Sequence, residues 1–230
     1  MTLFSIKAWA GSLAALLFIT HPALGQDDPQ AKYEEYAQAC REGQGTDGSN
    51  PCRDAMWYYG GHFSVDHLEK PLRLYRENCR EDGKITGCGP LHSFYAGNEQ
   101  LFADGTRRSW PAQPEKALQA LQTGCIATLE GVSNCGSLGV IYENAGDFEK
   151  AGAAYKMGCE TGMKARADEY FGQERVCYWA AKNARDNLQD DASARRWFAY
   201  TCEAGEDPFA CKFLGLMVAQ GEGADADPVE

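Results

Sequence analysis

The sequence predicts an all-α fold built from helix pairs that local disulfides join, and three observations predict it. The chain of 230 residues carries 10 Cys, and these Cys form five groups of two near neighbours along the sequence. An apolar stripe with helical spacing leads up to the first Cys of each group, and another stripe follows the second Cys. Because residues at i, i+4 and i+8 share one face of a helix, each stripe indicates a helix.

Residues 1–25 have the features of an export signal. Lys7 gives a positive start, and Ala8 to Ile19 form a short apolar run. Ala23-Leu24-Gly25 then places small residues at positions −3 and −1 of a cleavage site before Gln26. The apolar run is shorter than the roughly 20 residues that a membrane span needs, which favours a cleaved signal over an anchor. We therefore expect the mature protein to be periplasmic or secreted.

Export determines how the ten Cys are interpreted. In an oxidising compartment an even number of Cys is typical of a disulfide framework, and the spacing here removes most alternative pairings. The sequence has no Cys-x-x-Cys, so zinc ribbons, thioredoxin-like redox sites and c-type haem attachment lack their motif. We expect five local disulfides, namely Cys40–Cys52, Cys79–Cys88, Cys125–Cys135, Cys159–Cys177 and Cys202–Cys211.

The helix before the first Cys, which we call helix B, is predicted by a bulky apolar residue four positions before that Cys. These residues are Tyr36, Tyr75, Leu121, Tyr155 and Phe198. A glycine follows each of these Cys, and glycine readily adopts the left-handed conformation that ends helices. We therefore expect each first Cys in the last turn of its helix, with the helix capped by Gly43, Gly83, Gly131, Gly162 or Gly205.

The helix after the second Cys, helix A, is predicted by apolar or small residues three, four and seven positions later. A small residue at the fourth position lets a neighbouring helix approach closely, as at Gly139, Ala181 and Gly215. The segment Asn144-Ala145-Gly146-Asp147 is predicted to end one helix A and to cap the next helix B. One such pair cannot bury its apolar stripe alone, so the pairs must stack.

The segment from Cys135 through Leu138-Gly139 and Tyr155 to Cys159 resembles one complete Sel1-like repeat. The residues from Cys211 to Gly223 resemble the start of another. The paired Cys make the chain similar to the secreted cysteine-rich Sel1-like family first described in Helicobacter. This resemblance implies an α/α solenoid, related to tetratricopeptide arrays, of about five units over residues 26–223, followed by an acidic tail at 224–230.

Several positions depart from that repeat. His92 stands where the repeat has Gly, Pro71 replaces Ala, and the unit at Cys177 lacks Leu-Gly and Tyr. We expect these units to be distorted, with a short extra turn over residues 166–173.

Composition excludes some partners. The formal net charge of −11 argues against nucleic acid, which needs clustered Lys and Arg, and against docking on anionic lipid. After the signal no stretch is apolar enough for a membrane span. We expect a monomer.

The resemblance also implies β-lactam binding or weak β-lactamase activity, a hydrolase function. The motifs of serine β-lactamases, such as Ser-x-x-Lys and Lys-Thr-Gly, are absent from the sequence. A zinc enzyme needs convergent His, whereas His62, His67 and His92 lack ligand spacing. We assign no catalytic residue, no metal ligand and no cofactor, and whether the chain is an enzyme stays open.

Binding through a concave face is better supported, because helical solenoids present such a face, usually lined by their A helices. Residues between the core positions of these helices are expected there: Trp57, Tyr58, His62, Ser93, Ser137, Asn144, Trp179, Lys182, Asn183 and Phe213. Trp110 and Trp197 are expected in the core on the B side.

The sequence thus favours an exported repeat scaffold that binds a peptide, a protein or a peptidoglycan fragment. One alternative is the β-lactam-directed enzyme. Another is a redox or assembly factor resembling the cysteine-rich Sel1-like cytochrome oxidase assembly proteins, and the even, locally paired Cys weigh against it.

Overall fold

The computed structural model of the protein describes residues 28–43, 50–64, 67–80, 83, 85–165, 173–205 and 207–223. The predicted export signal, the acidic tail and nearly all of the predicted extra turn lie outside these residues. The helices are α1 (Pro29–Glu42), α2 (Pro51–His62), α3 (Glu69–Glu77), α4 (Cys88–Tyr95), α5 (Pro114–Gly124), α6 (Leu129–Asn144), α7 (Phe148–Ala165), α8 (Gln173–Asn183, continued by a π-helical turn at Ala184–Leu188), α9 (Asp191–Gly205) and α10 (Pro208–Gln220). The predicted all-α class is confirmed, and none of the described helices is long and apolar enough to cross a membrane.

Proline and a capping side chain fix where several helices begin. Pro51 is the first residue of α2, where its missing N–H costs no hydrogen bond. The Asn50 side chain accepts hydrogen bonds from the backbone N–H groups of Cys52 and Arg53, at 3.0 and 3.1 Å. Asp207 and Pro208 start α10 in the same way. Because these caps satisfy otherwise unpaired N–H groups, the second Cys of these two units, Cys52 and Cys211, is held at a defined place.

All five predicted disulfides are present, and no cysteine is free. Their Cα atoms are between 4.5 and 4.7 Å apart, within the range that an unstrained disulfide needs. Each disulfide joins one helix B, or the residues just after it, to the following helix A. The unit predicted from the sequence is therefore confirmed at the level of helix pairs and their cross-links.

The predicted caps are only partly correct. Gly43 ends α1 with a φ of 70°, as expected. Gly131 and Gly162, however, lie inside α6 and α7. A Cβ at Gly131 would come within 2.2 Å of the Ile126 carbonyl oxygen, so this glycine permits a close approach inside the helix instead of ending one.

The position of the Cys within the helices also differs between units. Cys40 and Cys202 lie in the last turn of their helices, as predicted. The prediction is wrong for the other three first Cys, because Cys79 and Cys125 lie just beyond the ends of α3 and α5, and Cys159 lies more than a turn before the end of α7. Cys135 lies more than a turn into α6, because that helix begins at Leu129, before the predicted start.

The helices pack mainly on neighbours in sequence. Among described residues, the main helix contacts join consecutive helices or helices two apart, as in α6 with α7 and α6 with α8. The buried apolar side chains form one cluster in the first half, one in the second half and a smaller one at α5, α6 and α7. Such nearest-neighbour packing is what a solenoid requires; the solenoid itself stays a prediction.

The close approach predicted at Gly139 is confirmed. A Cβ at this position would lie 2.3 Å from Cε1 of Tyr155, so the tyrosine ring of α7 sits directly on the glycine of α6. Tyr155 is fully buried, and its hydroxyl donates a hydrogen bond of 2.7 Å to Glu143. Ala181 is likewise fully buried. At Gly215, by contrast, no described atom lies within 4 Å of such a Cβ.

A β-hairpin that the sequence analysis missed lies between α4 and α5. Its strands, β1 (Gln100–Leu101) and β2 (Arg107–Arg108), are antiparallel. Phe102 is buried against Gly60 of α2, and the backbone N–H of Ala103 donates to the Trp57 carbonyl oxygen at 3.1 Å. Strands of two residues leave no alternation to recognise, which is why the periodicity gave no signal.

The core position expected for Trp197 is confirmed, and the one expected for Trp110 is only partly correct, because Trp110 packs at the edge of the core. Trp110 precedes α5 and packs its ring against Phe94 of α4, at a centroid distance of 4.9 Å, and against Phe102 of the hairpin loop. It is only half-buried and does not lie on a helix B. Trp197 is buried on α9.

Replacing Gly60 by alanine is expected to destabilise the fold by about 1–2 kcal/mol, although alanine is the better helix former by about 1 kcal/mol. The new Cβ would lie 2.0 Å from Cδ1 of the buried Phe102, and overpacking of this kind costs about 1–3 kcal/mol. Urea denaturation measures the difference. The control is Gly215→Ala, where the site is open and the change is expected to be neutral or stabilising; a stabilised Gly60→Ala protein would contradict the packing.

Three buried tyrosines are expected to ionise at a higher pH than a free tyrosine does. Burial raises the pKa of Tyr33 to about 12 and also raises the pKa values of Tyr75 and Tyr155. Because these values are raised above the unfolded value of about 10, the stability they confer is complete below pH 10 and is lost as the pH rises further. A phenolate absorbance titration should show a step above pH 10 that comes from Tyr33, Tyr75 and Tyr155, and one uniform step near pH 10 would contradict this.

Candidate ligand-binding groove

Two cavities adjoin along the helices α2, α4 and α6. The first, of about 500 Å³, is lined by Tyr36, Arg53, Asp54, Met56, Trp57, Glu99, Gln100 and Leu101. The second, of about 430 Å³, is lined by Asn50, Arg53, Gly89, Pro90, His92, Ser93, Asn98, Glu99, Gln100, Leu121, Ser133, Asn134 and Ser137. Because Arg53, Glu99 and Gln100 line both, the two cavities form one surface, which we call the A-helix groove.

Three successive A helices and the hairpin strand build this groove. Arg53 and Trp57 are four residues apart on α2, so they share one face of that helix. Ser93 comes from α4 and Ser137 from α6. The segment leading into β1 supplies Glu99, and this segment closes one side of the groove.

Hydrogen bonds between units fix the floor of the groove. The Asn50 side chain that caps α2 also donates to the Thr86 carbonyl oxygen at 2.9 Å. The Thr86 hydroxyl donates to the Cys40 carbonyl oxygen at 3.2 Å. The buried Asn134 side chain of α6 donates to the Gly124 carbonyl oxygen at 3.3 Å. These bonds hold the Cys-containing links of neighbouring units at a set spacing.

His92, which stands where the Sel1-like pattern has Gly, makes a contact between two helices. Where the repeat has a small residue, the His92 ring lies between α4 and α5, and its Nδ1 is 3.2 Å from the Ala117 carbonyl oxygen. A carbonyl accepts only, so Nδ1 donates this hydrogen bond. A hydrogen bond between a side chain and the backbone thus joins α4 to α5 at this position.

The two cavities differ in chemistry. The first presents Trp57 and Leu101, which are 38% and 49% exposed, beside the charged Arg53 and Glu99. Glu99 also forms an ion pair of 2.7 Å with Arg107 of the hairpin. The second cavity is lined mainly by neutral hydroxyl and amide groups. The groove therefore offers an apolar contact area next to a series of hydrogen-bonding groups, as ligand sites commonly do.

Three of the residues predicted for the concave face line this groove, namely Trp57, Ser93 and Ser137. Tyr58 is only 9% exposed and stacks on the His62 ring at a centroid distance of 3.9 Å. The His62 Nδ1 is 3.0 Å from the Tyr58 carbonyl oxygen. Tyr58 and His62 thus interact with each other and line neither cavity. Asn144 is exposed at the end of α6, away from both cavities.

The other four predicted residues lie on α8 and α10. Asn183 is 1% exposed, and its amide donates to the Phe148 carbonyl oxygen at 3.1 Å. It therefore joins α8 to the start of α7, and the expectation that it faces a ligand is wrong. Trp179 is half-buried and packs edge-on against Tyr178 at 5.5 Å.

Lys182 and Phe213 belong to a charged and aromatic cluster. Phe213 stacks on Phe198 at 5.4 Å, and the Arg185 guanidinium lies 4.2 Å from the Phe213 ring centroid. Burial alone would raise the pKa of Asp186, but hydrogen bonds from Arg185 and Lys182 outweigh that effect and lower it. Lys182 and Phe213 thus have structural partners in this cluster.

Sequence reasoning missed Arg53, Glu99 and Gln100, which connect the two cavities. Arg53 could have been found, because it precedes Trp57 by one helical turn and so shares its face. Glu99 and Gln100 carry no comparable signal, since they depend on a hairpin of two-residue strands.

Among the described residues, no group of three or more His, Cys, Asp or Glu is placed to hold a metal ion. No protein-family model matches the chain, and no curated protein matches it either.

Proposed function

We propose that this protein is an exported, disulfide-stapled Sel1-like repeat scaffold that binds a peptide, a protein or a cell-wall fragment through the A-helix groove. The observation that carries the proposal is the union of two cavities along three successive A helices, bridged by Arg53, Glu99 and Gln100. Five disulfides favour an oxidising compartment, which supports a periplasmic or secreted location.

The lining of the groove supports an extended, hydrogen-bonding ligand. Peptides and peptidoglycan fragments both carry amide groups along their length, and the hydroxyl and amide side chains of the second cavity can pair with them. Trp57 offers a rigid aromatic surface of the kind that often dominates binding energy. Because the disulfides hold the helix pairs in place, little order has to be gained on binding.

The test fills the groove without disturbing the fold. Ser137 is exposed and lines the second cavity, so Ser137→Trp is expected to block it. The matched control is Asn144→Trp, since Asn144 is exposed on the same helix and outside both cavities. The oxidised protein is immobilised and exposed to a muropeptide digest and to periplasmic extract.

We expect the wild-type protein and Asn144→Trp to retain the same ligand and Ser137→Trp to lose it by at least tenfold, the equivalent of about 1.4 kcal/mol. Equal retention by all three proteins would place binding elsewhere. The absence of any retained ligand would contradict the proposed function.

The β-lactam activity implied by the resemblance stays a prediction with its own test. Turnover of the chromogenic β-lactam nitrocefin by the purified oxidised protein measures it directly. A rate above that of buffer, abolished by Ser137→Trp, would favour an enzyme working in the groove. A rate equal to that of buffer would remove the enzyme alternative.

The assembly-factor alternative requires a labile disulfide. All ten Cys are paired, and the second Cys of four pairs is fully buried, which favours a structural role. Thiol labelling under mild reduction distinguishes the two, because a redox factor would release one pair before the others.

A further inference from the structure

A third cavity, of about 260 Å³, lies where the B helices α3 and α5 both pack on α4. We call it the B-helix cavity. Its lining includes Arg76, Leu91, Tyr95, Lys116, Ala120 and Thr123. None of the residues that line it also lines the A-helix groove, so it is a separate site.

The B-helix cavity differs in charge from the protein as a whole. Its charged lining residues are Arg76 and Lys116, and the described lining contains no Asp or Glu. The chain carries a net charge of −11, and the A-helix groove includes Asp54 and Glu99. A concave site that presents cations without a lining carboxylate attracts an anion.

The buried Tyr95 side chain contacts both cations. Arg76 Nε donates a hydrogen bond to the Tyr95 hydroxyl at 3.4 Å, and the Lys116 ammonium lies 5.4 Å from the centroid of the same ring. Tyr95 is only 8% exposed, and no described group accepts the hydrogen of its hydroxyl. Because a hydroxyl can donate as well as accept, an acceptor atom placed in the cavity would complete its hydrogen bonding.

Both cations keep donors that a ligand can use. Glu69 pairs with Nη1 of Arg76 at 2.9 Å, but this ion pair is exposed to solvent and therefore weak. The Lys116 ammonium donates to Gln113 Oε1 at 2.7 Å, which leaves two of its three N–H groups. The half-buried Thr123 adds a hydroxyl to the lining. The cavity is thus rich in donors and suits a ligand rich in acceptors.

We propose that the B-helix cavity binds a small organic anion, in which an apolar group carries a carboxylate or phosphate oxyanion. The oxyanion lies between Arg76 and Lys116 and accepts the free hydrogen of the Tyr95 hydroxyl, since hydrogen bonds between charged partners are the strong ones. The apolar group packs on the side chains of Leu91 and Ala120. The volume restricts the ligand to a small molecule, because drug-sized ligands occupy about 300–1,000 Å³.

An NMR titration of the oxidised protein with three compounds of similar shape tests the site. Benzoate and phenyl phosphate each carry an oxyanion on an apolar ring, and benzamide is the neutral counterpart of benzoate. We expect a Kd of about 1 mM for at least one of the two anions and at least tenfold weaker binding of benzamide. The ratio of the two anion affinities then identifies the preferred oxyanion.

Two variants localise the binding. Lys116→Gln removes a charge at an exposed position, and Tyr95→Phe removes only the hydroxyl. Each is expected to weaken anion binding about tenfold, as the loss of a hydrogen bond to a charged group does. The matched control is Lys212→Gln, which removes the same charge from an exposed position of α10 that lines none of the three cavities; it is expected to bind like the wild type.

The proposal is overturned if neither anion binds, if benzamide binds as tightly as benzoate, or if Lys116→Gln keeps the wild-type affinity. Circular dichroism checks that the variants are folded, and Lys116→Gln decides alone should Tyr95→Phe fail to fold. The outcome is independent of ligand binding in the A-helix groove, because Ser137→Trp is expected to leave the anion affinity unchanged.

Discussion

Replacement of both Cys125 and Cys135 by alanine is expected to lower the free energy of unfolding by about 2.7 kcal/mol. The disulfide closes a loop with a sequence separation of 10, and the chain-entropy model assigns roughly this value to a loop of that length. It joins the end of α5 to α6, which supplies Ser137 to the groove. Changing both Cys avoids an unpaired thiol, which Cys135→Ser alone would leave at Cys125.

Urea denaturation of the double variant measures this effect. The control is Ser137→Ala on the same helix, which is exposed and is expected to change the stability by no more than about 0.5 kcal/mol. A double variant with the unfolding midpoint of the wild type would show that this cross-link does not stabilise the unit.

Replacement of Gly139 by leucine is expected to destabilise the protein by about 3 kcal/mol, the upper end of the usual overpacking cost. Even the first added carbon would lie 2.3 Å from the Tyr155 ring, which is fully buried and hydrogen-bonded to Glu143. The ring cannot move aside without breaking that bond or separating α6 from α7. Further carbons of the side chain make the overlap worse.

Gly215→Leu is the matched control for this prediction. It makes the same substitution at the same repeat position of α10, where no described atom lies within 4 Å of the new Cβ. In dilute solution it is expected to unfold at the wild-type midpoint or slightly above it, because leucine is the better helix former. Equal stability of Gly139→Leu and Gly215→Leu would mean that helix A and helix B do not interlock.

The helix pairs and their cross-links could be predicted because their signals are local. Apolar stripes four residues apart and pairs of near-neighbour Cys lie within single units, and so does the turn that ends at Asp147. That turn is confirmed: Gly146 has a φ of 77°, and Asp147 accepts a hydrogen bond from the Lys150 N–H at 3.2 Å. Local sequence is enough wherever the partner lies within the same unit.

The groove was only partly predictable because its walls come from distant segments. Helical spacing predicts that Trp57, Ser93 and Ser137 line the groove. By contrast, a hairpin that packs on Gly60 brings Glu99 and Gln100 to it. Gly60 and the first hairpin residue, Gln100, are 40 residues apart in sequence. No local pattern in either segment indicates that the two pack together.

Other site predictions failed because the side chains in question are buried. Asn183 and Tyr58 occupy helix positions that periodicity assigns to an outer face, yet neighbouring segments cover both. For Asn183, the Phe148 carbonyl oxygen supplies a buried partner for the amide. Spacing gives the direction of a side chain relative to its own helix, whereas tertiary packing decides what lies in that direction.

Peptide mapping of the native protein without reduction tests the central claim most directly, because both the helix pairs and the groove between them depend on which sulfurs are joined. The account predicts five linkages, each between the first Cys of a pair, in or just after a helix B, and the Cys of the next helix A. Free thiols, or a linkage between Cys of different units such as Cys52 and Cys135, would contradict it.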